Sequence, residues 1–149
     1  MPMNSRIEWI TRGAVAMPAI DPALTERWLT AVAASHKRLV GPITYIFCDD
    51  AEILRVNREF LNHDYYTDII TFDYTRGRLI VGDVFVSLDT VASNAEMLGV
   101  SPRQELMRVI AHGVLHLCGI DDKGPGEREI MEANEDEALK LLQSIENQR

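Results

Sequence analysis

The sequence predicts an α+β fold in which a small mixed sheet, containing one antiparallel hairpin, is packed by about five helices. Two observations support this prediction. Helical and extended patterns follow one another along the chain and are not separated into blocks. A short polar turn, Arg76-Gly77-Arg78, joins two strand-like segments, and so short a connection favours an antiparallel pair. At 149 residues, the chain is expected to form a single domain, residues 1–149.

The first half of the chain is predicted to alternate strands and helices. Asp21-Pro22 provides a capping side chain followed by proline at the first helical position, which indicates the start of a helix. Gly41-Pro42 is expected to close the connection to the next strand, which is rich in β-branched and aromatic residues. Asp49-Asp50 can cap the following helix. The predicted elements are a strand at 6–10, a helix at 23–37, a strand at 43–48 and a helix that extends through residue 61.

The second half is predicted to begin with the hairpin and to end in helices. Ser87 can cap a helix that Gly99 ends, and Ser101-Pro102-Arg103-Gln104 is a capping box with proline at its first helical position. The helix that follows this box is apolar around most of its circumference, so it is predicted to be central and buried. Pro125-Gly126 then interrupts the chain. The predicted elements are strands at 68–74 and 79–86, a helix to residue 98, the buried helix, and an acidic amphipathic helix at 127–145.

The most informative segment lies at the end of the buried helix, where His112 and His116 are four residues apart. Side chains with this spacing share one helix face at a Cβ separation of roughly 5–6 Å, which allows them to bind one cation. Gly119 can adopt the positive φ that ends a helix. The returning chain can bring Asp122 to the same point, so His112, His116 and Asp122 are predicted to be metal ligands.

Three protein ligands with an open fourth position are typical of catalytic zinc sites. One zinc ion is therefore the predicted cofactor, although these ligands also suit nickel and iron. Asp121 is an alternative third ligand, and it is also a candidate acceptor for the N–H of a ligating imidazole. Cys118 lies about 200° around the helix from His116 and is predicted to belong to the core.

The composition argues against several classes of protein. A net charge of −8 disfavours nucleic-acid binding through a general positive field. The sequence has no run of 18 apolar residues and meets Glu8 before any apolar stretch, so neither a membrane span nor a signal peptide is expected. Cys48 and Cys118 are predicted to be reduced core thiols in a cytoplasmic protein.

A zinc ion at this position predicts hydrolysis, because bound zinc polarises a substrate oxygen and lowers the pKa of its water to roughly 7. The zinc-protease motif His-Glu-x-x-His places its general base directly after the first histidine. Gly113 occupies that position here, so a protease of this type would lack its proton shuttle. The sequence therefore favours a hydrolase other than a protease.

The histidine segment reads His112-Gly113-x-Leu115-His116-Leu117-x-Gly119 and is followed by an acidic residue. It resembles the signature of the YbeY family of bacterial ribosomal-RNA maturation factors. Leu54-x-x-Asn57 together with segment 67–72 resembles the helix and the following strand of that family, and Gly82-Asp83-Val84 resembles the next strand. These pieces keep the order and spacing of the family from about residue 43 to residue 140.

The resemblance implies a zinc-dependent endoribonuclease with an α+β fold that acts on single-stranded RNA. It also implies roles in 16S ribosomal-RNA 3′-end maturation and in ribosome quality control in the cytoplasm. The implied partners are ribosomal RNA and the ribosome or its proteins, with neither DNA nor a membrane. The alternatives are a zinc hydrolase of a peptide or an ester, and a ribosome-associated factor whose zinc is structural. The sequence assigns no catalytic acid or base, and the nucleophile is either water or a ribose 2′-hydroxyl.

Two positions depart from the pattern of the family. The family usually has a third histidine where this chain has Asp122, and an arginine where this chain has Leu61. That arginine is expected to hold phosphate, and Arg58, one helical turn earlier, is a candidate to replace it. The alternative is that Arg58 is a solvated surface residue. His63, in the loop after this helix, is a candidate to approach the site.

Overall fold

The structure, a computed structural model, describes residues 5–63, 65 and 67–148. These residues form a four-stranded sheet and five helices, which confirms the predicted α+β fold with a mixed sheet. None of the helices in the described ranges is long and apolar enough to span a membrane. The elements are β1 (Ile7–Thr11), α1 (Pro22–Ser35), β2 (Leu39–Cys48), α2 (Asp50–Leu61), β3 (Ile69–Asp73), β4 (Leu79–Ser87), α3 (Leu88–Leu98), α4 (Pro102–Leu117) and α5 (Glu127–Glu146).

The strands lie in the order β1-β2-β4-β3, so β1 and β3 form the two edges of the sheet. β2 pairs in parallel with both β1 and β4, whereas β3 and β4 form the predicted antiparallel hairpin. The hairpin turn contacts the connection between α1 and β2, because Arg38 donates to the carbonyl of Gly77 and Arg78 donates to the carbonyl of Lys37. The side chain of Arg78 therefore stabilises the contact between the hairpin turn and the α1–β2 connection.

β2 is longer than the sequence predicted. We expected Gly41-Pro42 to close a connection, but this dipeptide lies inside the strand, which begins at Leu39. The register with β4 shifts between Val40 and Ile43, and this irregularity accommodates a proline that has no backbone N–H to donate. A Cβ at residue 41 would lie 2.9 Å from the carbonyl oxygen of Ile80, so the close approach of the neighbouring strand explains the glycine.

The helix predicted to be central is α4, and ten of its sixteen residues are buried. It packs against the sheet and against α1, α3 and α5. Its carbonyl at Ile110 accepts a hydrogen bond of 2.5 Å from the buried hydroxyl of Tyr45. Similarly, the buried indole N–H of Trp28 donates to the carbonyl of Ala138 in α5 at 2.7 Å. The largest aromatic side chains of the core therefore connect α4 and α5 to the sheet and to α1 with their polar atoms satisfied.

Both cysteines are free and buried, as the sequence predicted. Burial raises the pKa of Cys48 to about 12 and that of Cys118 to about 11. Because the thiolate is the reactive species, these raised pKa values leave few of the thiols reactive at pH 8. We expect Ellman's reagent to label the native protein far more slowly than the chain in guanidinium, which should release two equivalents. A native thiol that reacts as fast as free cysteine would contradict the burial of these side chains.

Candidate metal centre

One face of α4 carries polar side chains at intervals of three, four and four residues, namely Glu105, Arg108, His112 and His116. The helix begins as predicted, with the Ser101 side chain accepting a hydrogen bond from the backbone N–H of Gln104. After α4, Gly119 has a φ of +95°, a left-handed conformation that favours glycine and turns the chain back. The polar face therefore ends beside the segment that follows this turn.

The structure brings the three predicted ligands together. Nε2 of His112 lies 3.3 Å from Oδ2 of Asp122, and Nε2 of His116 lies 3.5 Å from Oδ1 of the same carboxylate. One candidate ligand atom from each of the three side chains falls within 4.8 Å of the other two. The two imidazole rings are 5.0 Å apart between centroids. This arrangement could hold one metal ion.

The chemistry of these atoms fits a cation. Oδ1 of Asp122 is buried and accepts no hydrogen bond from any described residue. A buried carboxylate oxygen without a partner is costly, and a bound cation would remove that cost. Burial also lowers the pKa of His116, with a further contribution from neighbouring His112, so its ring is held neutral and retains a lone pair for a metal. Two imidazoles and one carboxylate are a donor set that suits zinc.

The second nitrogen of His112 has a buried partner on another helix. Nδ1 lies 2.6 Å from Oε2 of Glu135 in α5, and Glu135 is only 2% exposed. Because a carboxylate has no hydrogen to donate, the proton of this bond belongs to Nδ1 of the imidazole. In the neutral ring, Nε2 then carries the lone pair, on the side that faces Asp122.

Arg108 holds Glu135 in place. Its Nη1 donates to Oε1 of Glu135 at 2.9 Å, and its Nε donates to Oε1 of the buried Glu105 at 2.8 Å. A second hydrogen bond joins Nη2 of Arg108 to Glu105. Glu105, Arg108, Glu135 and His112 thus form a continuous chain of charge-assisted hydrogen bonds, which we call the Arg108 network. This network fixes the rotamer of Glu135 and, through it, the orientation of the His112 ring.

The candidate ligands line a cavity of about 380 Å³. The β3 edge forms part of its wall, and Asp68, which lies 4.0 Å from Nη2 of Arg108, contributes a further carboxylate. Burial raises the pKa of Asp68 above its ordinary value. The remaining lining residues include polar and charged groups of both signs, namely Asn57, His63, Thr67, Thr71, Asp73 and Lys123.

The family model described as Endoribonuclease YbeY matches residues 19–143. The chain belongs to the YbeY family. It is 60% identical over 136 residues to the Endoribonuclease YbeY of Phocaeicola vulgatus, with 91% of this chain and 98% of that protein covered. It is 58% identical over 128 residues to the Endoribonuclease YbeY of Parabacteroides distasonis, with 86% and 90% covered. The resemblance inferred from the histidine segment is thereby confirmed.

A solved structure with the same fold is the solution structure of TM1509 from Thermotoga maritima. The TM-score is 0.62 at 23% sequence identity, and the likeness covers 91% of this chain and 88% of that chain. At this level of identity the comparison concerns the fold alone. It agrees with the α+β architecture that this YbeY sequence predicts.

The structure shows where several side chains that the sequence left open lie. Leu61, at the position of the YbeY arginine, lines the cavity, whereas Arg58 does not belong to the described residues that line it. The suggestion that Arg58 replaces that arginine therefore gains no support. Asp121 is exposed, and the acceptor of the His112 N–H is Glu135. His63 does line the cavity, where its Nδ1 lies 2.9 Å from the hydroxyl of Tyr65.

Sequence reasoning missed the Arg108 network, although the sequence contains a signal for it. Glu135 interrupts the apolar stripe of α5, since its neighbours along that face are Met131, Ala138 and Leu142. Arg108 lies one helical turn before His112 on the same face of α4. A charged residue at a core position needs a buried partner of opposite charge. An ion pair between Arg108 and Glu135 could therefore have been predicted from the sequence.

Gly113 is required by packing between α4 and the sheet. A Cβ at this position would lie 2.9 Å from Cγ1 of Val84 and 3.2 Å from the hydroxyl of Tyr45, both of which are fully buried. In this YbeY chain, the position that carries the general base of zinc proteases therefore points into the sheet and away from the candidate ligands.

We expect Gly113→Ala to destabilise the protein by about 1–2 kcal/mol. Overpacking costs roughly 1–3 kcal/mol, and the better helix propensity of alanine offsets up to about 1 kcal/mol. Chemical denaturation measures the difference. In a Val84→Ala background, which removes the methyl group at 2.9 Å but leaves the Tyr45 hydroxyl, the same Gly113→Ala change should cost less stability. An equal decrease in the free energy of unfolding in the Val84 and Val84→Ala backgrounds would contradict the steric explanation.

Proposed function

We propose that this chain is a zinc-dependent endoribonuclease that cleaves single-stranded RNA, with His112, His116 and Asp122 as the zinc ligands. The observation that carries the proposal is the convergence of these three side chains on one cavity in a member of the YbeY family. The unpartnered buried oxygen of Asp122 supports a cation at this point. The name of the relatives, Endoribonuclease YbeY, supports RNA as the substrate.

Each residue of the site has a chemical role in this proposal. When bound, zinc supplies Lewis acidity that stabilises negative charge developing on oxygen. Glu135 accepts a hydrogen bond from Nδ1–H of His112, which keeps the proton on Nδ1 and leaves Nε2 of the neutral ring free to ligate. Arg108 fixes Glu135 and compensates part of the negative charge of the site. Lys123, on the cavity wall, is positioned to attract the phosphodiester of the substrate.

The biological role that we propose follows from the family. The chain is proposed to act in 16S ribosomal-RNA 3′-end maturation and in ribosome quality control, as one cytoplasmic domain spanning residues 1–149 that associates with the ribosome or its proteins. DNA and membranes are not proposed as partners. The net charge of −8 supports recognition of RNA by a local site and not by the whole surface.

Incubation of zinc-loaded protein with single-stranded RNA tests the proposal. We expect cleavage of single-stranded RNA, little cleavage of duplex RNA or of DNA, and loss of activity on chelation that zinc restores. The His116→Ala protein is the control, because equal activity of this variant would identify a contaminating nuclease. The chemistry of the product ends then separates the nucleophiles, since attack by the ribose 2′-hydroxyl leaves a 2′,3′-cyclic phosphate and attack by water does not.

Two experimental outcomes would contradict this proposal and favour an alternative function. Turnover of a peptide or ester by the zinc-loaded protein, without cleavage of any RNA, would indicate a hydrolase of another substrate. Loss of the fold on zinc removal, with no turnover of any substrate at saturating zinc, would indicate a structural metal in a ribosome-associated factor.

A further inference from the structure

One wall of the metal-centre cavity is a free edge of the sheet. β3 is the last strand in the order β1-β2-β4-β3, so only one of its sides is paired. Ile69, Thr71 and Asp73 of this strand line the same cavity as the candidate zinc ligands. An unpaired strand edge presents a row of backbone N–H and C=O groups that can hydrogen-bond another molecule.

Two hydrogen bonds establish which backbone groups of β3 face the free edge. The N–H of Ser87 donates to the carbonyl of Asp68 at 2.9 Å, and the N–H of Tyr74 donates to the carbonyl of Val81 at 2.8 Å. Residues that bond to the partner strand alternate with residues whose backbone groups point away from it. The uninterrupted register of β3 and β4 carries this alternation along the strand. The even-numbered residues of 68–74 therefore bond to β4, and the odd-numbered residues face the free edge.

Thr71 is the centre of this edge. Within the part of the chain that the structure describes, neither its N–H nor its C=O has a hydrogen-bond partner. The carbonyl of neighbouring Ile69, by contrast, accepts a bond of 3.4 Å from the Thr67 hydroxyl. One residue thus offers an unpaired donor and an unpaired acceptor side by side on the cavity wall.

We propose that the free edge of β3 binds an unpaired base of the RNA substrate through the N–H and C=O of Thr71. This inference rests on the proposed function. A nucleobase presents donors beside acceptors on its hydrogen-bonding edges, which matches the groups of Thr71. A phosphate only accepts hydrogen bonds, and here it would lie beside an outward carbonyl and the carboxylates of Asp68 and Asp73. The edge therefore selects a neutral base over the phosphate, and it positions the RNA strand along the cavity that contains the candidate zinc ligands.

Thr71→Pro tests the contribution of the edge, because proline removes a backbone N–H that β4 does not use. Proline is tolerated on edge strands at such outward-facing positions. We expect the KM for a single-stranded oligonucleotide to rise about three- to tenfold with kcat unchanged, as expected for the loss of one hydrogen bond that stabilises bound substrate and transition state equally. Thr71→Val, which keeps the N–H but removes the side-chain hydroxyl, is the matched control and should raise KM less than Thr71→Pro does.

A modified substrate identifies the part of the RNA that contacts the edge. On an oligonucleotide with abasic residues around the cleavage point, Thr71→Pro should no longer change KM, because the base that pairs with the edge is missing. An equal rise of KM on both substrates would overturn the assignment to a base and indicate contact with the sugar-phosphate backbone.

Amide NMR of the unaltered protein provides a test that does not depend on the folding of a variant. A 2′-O-methyl RNA oligonucleotide should shift the amide signals of Thr71 and Asp73. The amides of Ile70 and Phe72, which donate to β4, are internal controls and should shift less. Shifts produced by an extended peptide and not by the oligonucleotide would overturn the proposal in favour of peptide binding by strand addition.

The two proposals fail in different ways. If the unaltered protein cleaves RNA and Thr71→Pro leaves KM unchanged, the edge inference is wrong and the endoribonuclease proposal stands. If the unaltered protein cleaves no RNA and no oligonucleotide shifts the Thr71 amide, both proposals fail.

Discussion

The Asp122→Ala protein is expected to bind zinc at least about a hundredfold more weakly than the unaltered protein. Loss of a residue that only orients a ligand typically costs 10–100-fold in metal affinity, and loss of a ligand should cost no less. The metal-free variant should lose little stability, since Oδ1 of Asp122 has no hydrogen-bond partner among the described residues and its contacts with the two histidines are long, at 3.3 and 3.5 Å. Competition with a chromophoric chelator measures the affinity, and thermal unfolding in the presence of a chelator measures the stability.

Two further variants make this experiment specific. Asp121→Ala removes the exposed neighbouring carboxylate and should leave the affinity for zinc within a factor of about two, because surface groups outside a site contribute little. Asp122→His introduces the residue that is usual in the YbeY family and should retain tight binding, since imidazole is an equally suitable zinc ligand. If Asp121→Ala lost zinc and Asp122→Ala kept it, the third ligand would be assigned wrongly.

Glu135→Gln is expected to weaken zinc binding by about 10–100-fold without changing any proposed ligand. An amide at this position would keep its oxygen on Arg108 and direct its NH₂ group at Nδ1 of His112. That nitrogen would then have to accept a hydrogen bond, so the proton of the neutral ring would move to Nε2. Nε2 is the atom that faces Asp122, and a protonated nitrogen cannot ligate a metal. Isothermal titration with zinc at pH 7 measures the loss.

Glu137→Gln is the matched control for this change. Glu137 is also in α5, but its side chain is 73% exposed and pairs with exposed Lys140 at 3.4 Å, so its loss should alter neither zinc affinity nor stability appreciably. Glu135→Gln should also lower the free energy of unfolding by about 1–3 kcal/mol, because a buried charged hydrogen bond is replaced by a neutral one. Zinc affinity equal to that of the unaltered protein would show that the His112 tautomer does not depend on Glu135.

The fold was largely predictable because its elements are delimited by local signals. Asp21, Ser87 and Ser101 cap helices through the hydrogen bonds that their side chains were expected to accept. The start of β2 was not predictable in this way. Gly41-Pro42 is typical of a turn, and only pairing with a distant strand, across an irregular register, extends β2 through it. Local propensity specified the ends of helices, whereas the ends of strands depended on tertiary pairing.

The candidate site was predictable only where its residues are close in the sequence. His112 and His116 share one helix face by their spacing, and the turn at Gly119 brings Asp122 back to them. Glu135 approaches from a helix that begins after a second chain reversal, so its distance from His112 depends on how α4 and α5 pack. Arg58 was suggested because it lies one helical turn before the position of a family arginine, but its side chain is not among the described residues that line the cavity.

The packing at Gly113 also bears on how enzymes of this fold can diverge. A Gly113→Glu substitution, which a single nucleotide change produces from a GGA or GGG codon, would give this chain the His-Glu-x-x-His pattern of a zinc protease. The side chain introduced by that mutation would begin 2.9 Å from Val84, inside the contact between α4 and the sheet. Steric exclusion by Val84 therefore disfavours a glutamate at this position, even where one nucleotide change would introduce it. Any lineage that acquired a general base beside these histidines would have to take it from another element of the fold.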